Sequence, residues 1–528
     1  MCDNKGLKTV YLTGYSGFLG RAVLELLLKS GCSVVLLGRK NIDLKNTKFK
    51  KIDIENRESL KKVFEKDSSI LVHLAAKIPN AKPESREEFL KTNLMGTINI
   101  SEEAIAAGIK KIIFASTWDI YGYSQPKKEI DENCIPNPEN YYSMSKLSAE
   151  KYLSERTRSA DISVKILRFS NLYGPAPSQN GALMNFITNI SNGSKINIAG
   201  GGLQERDYLY ISDAARAVLL AVGDGGKEEV FNIGYGKPVS IKNLAETISL
   251  IYEKFGISCS GIEYGNNKGN HSRYLNISRA RKELAYEPLI SLDEGITKTI
   301  MWYEKSLRKR KPKIVVFDID GTILNVNKRY TETMEMALAK YGFNVASKIS
   351  KVLEMRRSGM SGKQIIKEFT NTDDPIVERI DKLRKELLNE DSFLRKDTLL
   401  HGIIETMGDI KQSGYKMVGL TFRKNVARDL KNCGVSNYFD RIICKDKKTS
   451  SKKTEELIKI AKAYNVSTFE LLVVGDTEDD ILAGGEVGSK TVGVLTGLSS
   501  YERLKYFGSD YIINNLTELK RIIVNKQY

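Results

Sequence analysis

The apolar positions of this chain fall into two kinds of block. Short, largely apolar runs bounded by polar or glycine-rich turns lie at Lys8–Thr13, Cys32–Leu37, Ile314–Phe317, Tyr415–Leu420 and Leu471–Val474. Runs of this length read as buried strands. Between them, apolar residues recur every three or four positions, as in Arg21–Ser30, Thr333–Leu338, Lys453–Tyr464 and the series Ile376, Ile380, Leu383 and Leu387. That spacing predicts amphipathic helices. Strands alternating with helices predict an α/β fold with parallel sheets. The alternation breaks between Thr322 and about His401, a stretch far beyond the ~12–15 residues of an ordinary loop. Its helical periodicity predicts an inserted helical module over about residues 325–400.

At 528 residues the chain exceeds what one core supports. The densest basic run, Lys305–Lys313 (KSLRKRKPK), falls between the two strand–helix series. It predicts a first domain over residues 1–305, a solvated linker over 306–312 and a second domain over 313–528. With 41% hydrophobic and 28% charged residues, the composition is that of a globular protein with ample core. No apolar run nears the ~18 residues of a membrane span, and MCDNKGLKTV has no apolar signal region. Six cysteines stand without paired or metal-type spacing. Together these predict a cytoplasmic location without a disulfide framework or zinc site. The three histidines are expected to be structural. The net charge of +17 is spread along Lys-rich helix faces without interleaved aromatics, so anionic small molecules are the expected partners rather than nucleic acid or membrane.

The first candidate chemistry is Gly14-Tyr-Ser-Gly17-Phe18-Leu19-Gly20, between the first strand and the first helix. Glycines there permit a tight turn and a close approach of backbone N–H groups to a pyrophosphate at the helix N-terminus. Tyr142 and Lys146 stand four apart on a predicted helix, hence on one face. A nearby ammonium favours tyrosinate, so Tyr142 can exchange a proton with a sugar hydroxyl, with Thr117 at a strand end bonding the same oxygen. In isolation, a surface Tyr and Lys at helical spacing would explain the pair equally well. The glycine turn and Thr117 weigh against that.

The order of these motifs resembles the extended short-chain dehydrogenase (NAD-dependent epimerase/dehydratase) family. Asp53-Ile54 follow the third strand, Leu74-Ala75-Ala76 the fourth, and Asn93 opens NLMGTIN. Ser116-Thr117, Tyr142-Ser-Met-Ser-Lys146, RFSNLYGP, RDYLYISDAARA, FNIG and LNISRARKELAYEP follow in order. The resemblance implies a Rossmann-type domain that binds NAD or NADP through the glycine turn, Arg39, Asp53, Ile54, Leu74–Ala76, Asn93, Tyr142 and Lys146. It implies substrate contacts from Asn171 and Arg206, and a homodimer through this domain. Two departures stand out. Gly38-Arg39-Lys40 replaces the acidic residue of NAD-preferring relatives, which suits a 2′-phosphate and leaves NAD and NADP both open. Thr117-Trp118-Asp119 stands where the related 4,6-dehydratases carry Thr-Asp-Glu, so elimination is disfavoured against epimerisation or oxidoreduction. Asp119 then either acts at a neighbouring carbon or is a surface residue. The arginine that relatives place before LNIS has only Lys268 and Arg273 as neighbours here.

In the second half two acidic clusters follow buried strands: Asp318-Ile-Asp320 and Asp476-Thr-Glu-Asp-Asp480. Carboxylates where buried strands end are costly unless they bind a cation or do chemistry. With Thr421 at the end of another strand and Lys453 opening a helix, these motifs resemble the haloacid-dehalogenase superfamily of phosphatases, and the insert resembles its helical cap. The resemblance implies Asp318 as nucleophile, Asp320 as acid and base, and Thr421 and Lys453 on the phosphoryl oxygens. It implies Mg²⁺ held by Asp318, the Asp320 carbonyl and Asp476, with Asp480 supporting metal or lysine and Asp479 solvated. Lys452 is the alternative to Lys453. The expected function is bifunctional: an NAD(P)-dependent nucleotide-sugar epimerase or oxidoreductase fused to a Mg²⁺-dependent phosphatase of a small metabolite. A reductase, decarboxylase or dehydratase in the first half, a phosphomutase in the second, or a binding module in either remain the rivals.

Overall fold

The computed structural model describes residues 9–524 apart from 43, 66–69, 80–85, 124–127, 159, 161, 177–180, 224–228, 266–271, 309, 424–425 and 445–451. Lys268, His271 and Cys2 therefore lie outside the described residues. The chain divides into two units, Met1–Tyr252 with Ser258–Trp302, and Glu253–Ile257 with Tyr303–Tyr528.

In the first unit the strands are β1 (Thr9–Thr13), β2 (Ser33–Gly38), β3 (Thr47–Lys51), β4 (Ile70–His73), β5 (Lys111–Thr117), β6 (Ser163–Phe169) and β7 (Val230–Ile233). Helices α1 (Phe18–Lys29), α2 (Gly96–Ala106), α3 (Tyr141–Arg158) and α4 (Ile211–Val222) accompany them. The strands pair in parallel in the order β7-β6-β5-β4-β1-β2-β3. Because successive side chains point to opposite faces, β1 sends Val10 and Leu12 into one core and Tyr11 into the other. Both faces are thus covered, as an all-parallel sheet requires. The order reverses between β1 and β4, where a doubly wound sheet opens a crevice at its strand ends.

Gly14 stands at that reversal with φ +71°, and a Cβ there would lie 2.6 Å from both the Ala75 nitrogen and the Leu74 carbonyl carbon. A Cβ on Gly20 would lie 2.0 Å from the Gly14 oxygen. Neither position tolerates a side chain without moving backbone. Gly14→Ala is accordingly expected to destabilise the first unit by about 2 kcal/mol or more, read as a lowered first transition in calorimetry of the full chain; an unchanged transition would contradict this packing.

The second unit repeats the logic with β8 (Ile314–Phe317), β9 (Lys416–Thr421), β10 (Arg441–Cys444), β11 (Leu471–Gly475), β12 (Lys490–Val494) and β13 (Tyr511–Ile513). They pair in parallel in the order β10-β9-β8-β11-β12-β13. Val315 and Phe317 face one core, Ile314 and Val316 the other. The insert leaves and re-enters through Leu324–Asn325 and Thr398–Leu399, which pair antiparallel. Its helices α5 (Asn327–Lys340) and α6 (Asp374–Leu387) help enclose a separate apolar cluster that includes Met334, Leu338, Ile366, Val377 and Ile380. The buried face of α6 is centred on Val377, Ile380, Arg384 and Leu387, whereas Ile376 is exposed. The expected series slips because Arg384 is buried too, its charge met by Asp381 at 2.7 Å.

The basic run expected as a solvated linker is tied into the second unit. Helical backbone continues through Tyr303–Arg308. Lys305 reaches Asp510 at 3.2 Å, Arg310 reaches Glu304 at 2.5 Å and Lys313 reaches Glu470 at 2.7 Å. The Glu304 side chain is fully buried, so Arg310 supplies the counter-charge that its burial requires.

Candidate active sites

In the first unit β5 delivers Thr117, and α3 delivers Tyr142 and Lys146 to the same crevice. Asn140 caps the entry to α3, accepting the Ser143 N–H at 2.8 Å. The Tyr142 hydroxyl bonds Thr117, and its ring meets Phe89 edge-on at 6.2 Å. Lys146 is buried, its ammonium 3.9 Å from the centre of the Phe114 ring. Burial, reinforced by the charge of Asp119, raises the Tyr142 phenol above its usual value against the Thr117 hydrogen bond. Burial likewise drives Lys146 down to about 7, with Glu150 opposing. This runs against the expectation of a tyrosinate favoured by lysine, because desolvation penalises both charged forms.

Of the expected dinucleotide residues, Gly14, Gly17 and Gly20 form the turn into α1. Gly17 caps that helix with no side-chain partner, leaving a helix N-terminus suited to an anion. Phe18 and Leu19 open the helix. Leu74, Ala75 and Ala76 are half-buried in the loop after β4, held by the Thr13 hydroxyl, which accepts the Leu74 and Ala75 N–H groups at 3.2 Å. Asn93 plays an indirect part. It is fully buried, with its amide committed to both backbone groups of Lys77 and to Ser145, so it fixes that loop. The Asp53 carboxylate accepts the N–H of Glu55 at 3.0 Å, while Ile54 packs into the core where a Cβ on Gly96 would stand 2.8 Å away. Arg39 is exposed at the end of β2. Just before it, a Cβ on Gly38 would lie 2.8 Å from the Tyr15 ring, which explains why no acidic side chain fits there. His73, between Thr13 at 2.8 Å and Thr97 at 3.0 Å, is buried and held down to about 3 by that burial and by Lys146. Its role is structural.

Asn171 lies half-buried and opposite Tyr208 in a short parallel pair. Arg206 stands 5.7 Å from the centre of the Tyr123 ring, and burial together with Arg273 lowers its pKa. Asp119 is neither isolated nor merely at the surface, because Arg273 reaches it at 2.6 Å.

In the second unit, Asp318 and Asp476 end the adjacent strands β8 and β11 at that sheet's own reversal. Helices α7 (Lys453–Ala463) and α8 (Glu478–Glu486) bring in Lys453 and Asp480. The Lys453 ammonium lies 2.8 Å from Asp318 and also bonds Asp480. Lys452 is exposed at the helix cap, so Lys453 is the lysine at the site. Carboxylate oxygens of Asp318, Asp476 and Asp480 lie within 4.8 Å of one another. Asp479 is exposed. Burial pushes Asp318 up, with Lys453 opposing and Asp480 and Asp476 adding to the rise. Burial and Asp480 push Asp476 up to about 7. Such crowded hard-oxygen donors fit a divalent cation such as Mg²⁺. Asp476 is walled in: a Cβ on Gly321 or Gly497 would lie 2.4 or 1.9 Å from its oxygen, Leu498 donates its N–H at 2.8 Å and Thr322 its hydroxyl at 3.2 Å.

The metal ligand expected from Asp320 is its backbone carbonyl, and its side chain is engaged elsewhere. Its carboxylate is outside the three-aspartate cluster because two arginines claim it, Arg329 at 2.5 Å and Arg423 at 3.0 Å. Burial alone would raise it, but the two guanidiniums more than offset this and hold it below the usual carboxylate range. Asp397, itself raised by burial, meets Arg329 at 3.0 Å and Arg423 at 2.5 Å, and Asp429 meets Arg423 at 2.8 Å. Thr421 is buried and its hydroxyl accepts the Arg423 N–H at 3.1 Å. Motif reading missed Arg329, Asp397 and Arg423. The position of Arg423, two residues after Thr421, is the one local signal that pointed to it.

With these geometries in place, comparison with known proteins is informative. The model of the NAD dependent epimerase/dehydratase family matches residues 10–234, and that of haloacid dehalogenase-like hydrolases matches 315–494. A UDP-glucuronate 4-epimerase of Thermodesulfobacterium geofontis is 34% identical over 318 residues, 56% of this chain and 96% of that protein. The chain belongs to the NAD dependent epimerase/dehydratase family. A dTDP-D-glucose 4,6-dehydratase of Mus musculus is also similar, 31% identical over 323 residues, 58% of this chain and 91% of that one. Among solved structures, MoeE5 in complex with UDP-glucose and NAD is 27% identical, with a TM-score of 0.50 over 57% of this chain and 99% of that chain. All of these cover the epimerase/dehydratase unit. Joined to a haloacid dehalogenase-like hydrolase unit, it makes the chain an enzyme with two sites. Among the described residues no helix is long and apolar enough to cross a membrane.

Proposed function

We propose that the first unit is an NAD-dependent epimerase or oxidoreductase of a nucleotide sugar, and the second a Mg²⁺-dependent phosphatase of a small phosphorylated metabolite, a sugar phosphate. The observation that carries the first assignment is the convergence of Thr117, Tyr142 and Lys146 beside the glycine turn. The buried Trp118 supports epimerisation or oxidoreduction over elimination, because indole supplies no acid where the dehydratases have one. NAD, when bound, supplies the hydride acceptor. Tyr142 takes the proton of the sugar hydroxyl as the phenolate, which requires its buried phenol to ionise first, and returns it as the phenol. Thr117 orients that oxygen, and Asn171 and Arg206 hold the diphosphate. NAD is assigned because the solved relative is complexed with it; Arg39 at the β2 end would also suit a 2′-phosphate. Exposed Leu90, Met95, Tyr141 and Met144, on adjoining helical segments, supply apolar surface for a homodimer.

In the second unit the reading rests on Asp318, Asp476 and Asp480 gathered around one lysine. Mg²⁺, when bound, neutralises charge between carboxylates and phosphate. Asp318 attacks phosphorus to give an aspartyl-phosphate, and Lys453 and Thr421 bind the phosphoryl oxygens. Asp320, kept as a carboxylate by its arginines, deprotonates the water that hydrolyses that intermediate. Its acid role toward the leaving alkoxide then requires an arginine to withdraw.

Mg²⁺ is expected to raise the unfolding temperature of the second unit, and more at pH 8 than at pH 6. Asp476 is raised to about 7, so without metal the fold loses stability as pH rises toward and through that value, where the carboxylate must ionise. The ion recovers that loss and displaces the remaining proton at lower pH. Calorimetry with Mg²⁺ and with EDTA measures it; equal shifts at both pH values, or none, would remove Asp476 from the ligand set.

A further inference from the structure

The loop after β5 is where this chain departs from its dehydratase relatives, and it forms one built cluster. The Asp119 N–H donates to the Thr117 hydroxyl at 3.2 Å, so Asp119 sits one hydrogen bond from a group assigned to the reacting oxygen. Arg273 donates to the Asp119 carboxylate at 2.6 Å and to the Gly122 carbonyl at 2.7 Å. Its guanidinium lies 4.2 Å from the centres of both the Trp118 and Tyr123 rings. Held by two acceptors and two rings, Arg273 cannot readily turn toward a ligand.

The two partners differ in exposure. The Arg273 side chain is 3% exposed and that of Asp119 is 27% exposed. The cation is therefore the buried member and the carboxylate is the accessible one. Arg206, the other cation near Tyr123, also acts electrostatically with Asp119, and its guanidinium donates to the Glu205 carbonyl at 2.8 Å. Asp119, one hydrogen bond from Thr117, thus offers a partly accessible carboxylate acceptor whose charge Arg273 and Arg206 offset only in part. A sugar group placed there gains if it donates a hydrogen bond, and a carboxylate there meets like charge.

We propose that Asp119 is a specificity-determining residue that selects nucleotide sugars presenting a hydroxyl or amino group beside the carbon handled by Tyr142 and Thr117, and rejects uronates. This rests on the nucleotide-sugar reading above. The similar UDP-glucuronate 4-epimerase makes the alternative concrete, since its named substrate carries the carboxylate that Asp119 would oppose. The influence of Asp119 on the Tyr142 phenol is consistent with their proximity.

The test compares UDP-glucose with UDP-glucuronate on the full-length protein loaded with NAD, by product chromatography and by calorimetric binding. Wild type is expected to favour UDP-glucose by about 100-fold or more in kcat/KM. Asp119→Asn, which keeps an acceptor for Arg273 without the charge, is expected to narrow that ratio about tenfold or more, chiefly through the KM for UDP-glucuronate. Equal or better use of UDP-glucuronate by wild type, or an unchanged ratio in the variant, overturns the proposal while leaving the function standing. If Asp119→Asn fails to fold, wild-type calorimetry decides: UDP-glucuronate must bind about tenfold or more weakly than UDP-glucose. If neither sugar nucleotide binds or reacts, the nucleotide-sugar reading falls and this inference with it.

Discussion

Asp318→Asn is expected to abolish phosphatase activity, by about 10⁴-fold or more in kcat, while the nucleotide-sugar activity of the same chain stays within about twofold. The amide cannot form the aspartyl-phosphate, and it replaces a charged ligand in the three-aspartate cluster. The same crowding makes a second, opposite expectation. Asp318, Asp476 and Asp480 lie within 4.8 Å with Lys453 among them, so removing one negative charge relieves repulsion in the metal-free fold. Metal-free Asp318→Asn should therefore melt above the metal-free wild type, and Mg²⁺ should stabilise it less. Steady-state assays with a panel of sugar phosphates and calorimetry measure both. Phosphatase activity within about tenfold of wild type would sink the nucleophile assignment.

Tyr142→Phe is expected to give the complementary result, a loss of about 10³-fold in nucleotide-sugar turnover with phosphatase activity unchanged. The ring contact with Phe89 survives the substitution, and only the hydroxyl that bonds Thr117 is lost. The fall should therefore appear in kcat, with the KM for the sugar nucleotide nearly constant. A variant that folds, binds the sugar nucleotide and turns it over at the wild-type rate would show that the proton passes through another group. A variant that folds but loses both activities would show that the two sites are not independent.

How far each site could be read from the chain depended on the distance over which its residues act. Gly14, Gly17 and Gly20 act within one turn and mark a strand–helix junction by themselves. Asp318, Thr421 and Asp476 end apolar runs, so they could be placed at strand ends without knowing the sheet order. The arginines at Asp320 were a different matter. Arg329 is near in sequence, but Asp397 and Arg423 join it only when the insert folds back, and no periodicity announces that meeting. The pairing of Asp119 with Arg273 spans more than half of the first unit for the same reason. Burial was equally hidden. Tyr142 and Lys146 share a helix face as their spacing implied, yet how far each is desolvated depends on the surrounding structure, including Phe89 and Phe114, and this reverses the expected direction for the phenol. Val377 displaced Ile376 from the buried face of α6 because Arg384, polar in any sequence pattern, became part of that face with Asp381 as its partner.

The insert of the second unit enters and leaves the core through neighbouring backbone, Leu324 opposite Leu399 and Asn325 opposite Thr398, and it carries an apolar cluster of its own. A segment attached in this way is a cassette. Its length and sequence can change without rerouting any strand of the parent sheet, since the chain returns to where it left. Arg329 and Asp397, at its two ends, are bound to the core's chemistry through Asp320 and Arg423, and between them the Leu394 carbonyl accepts from Arg423, Asp391 pairs with Arg428 and Arg357 donates to the Gly497 carbonyl. Exchange of everything between those two residues would alter what the site admits while leaving the reacting carboxylates where they are.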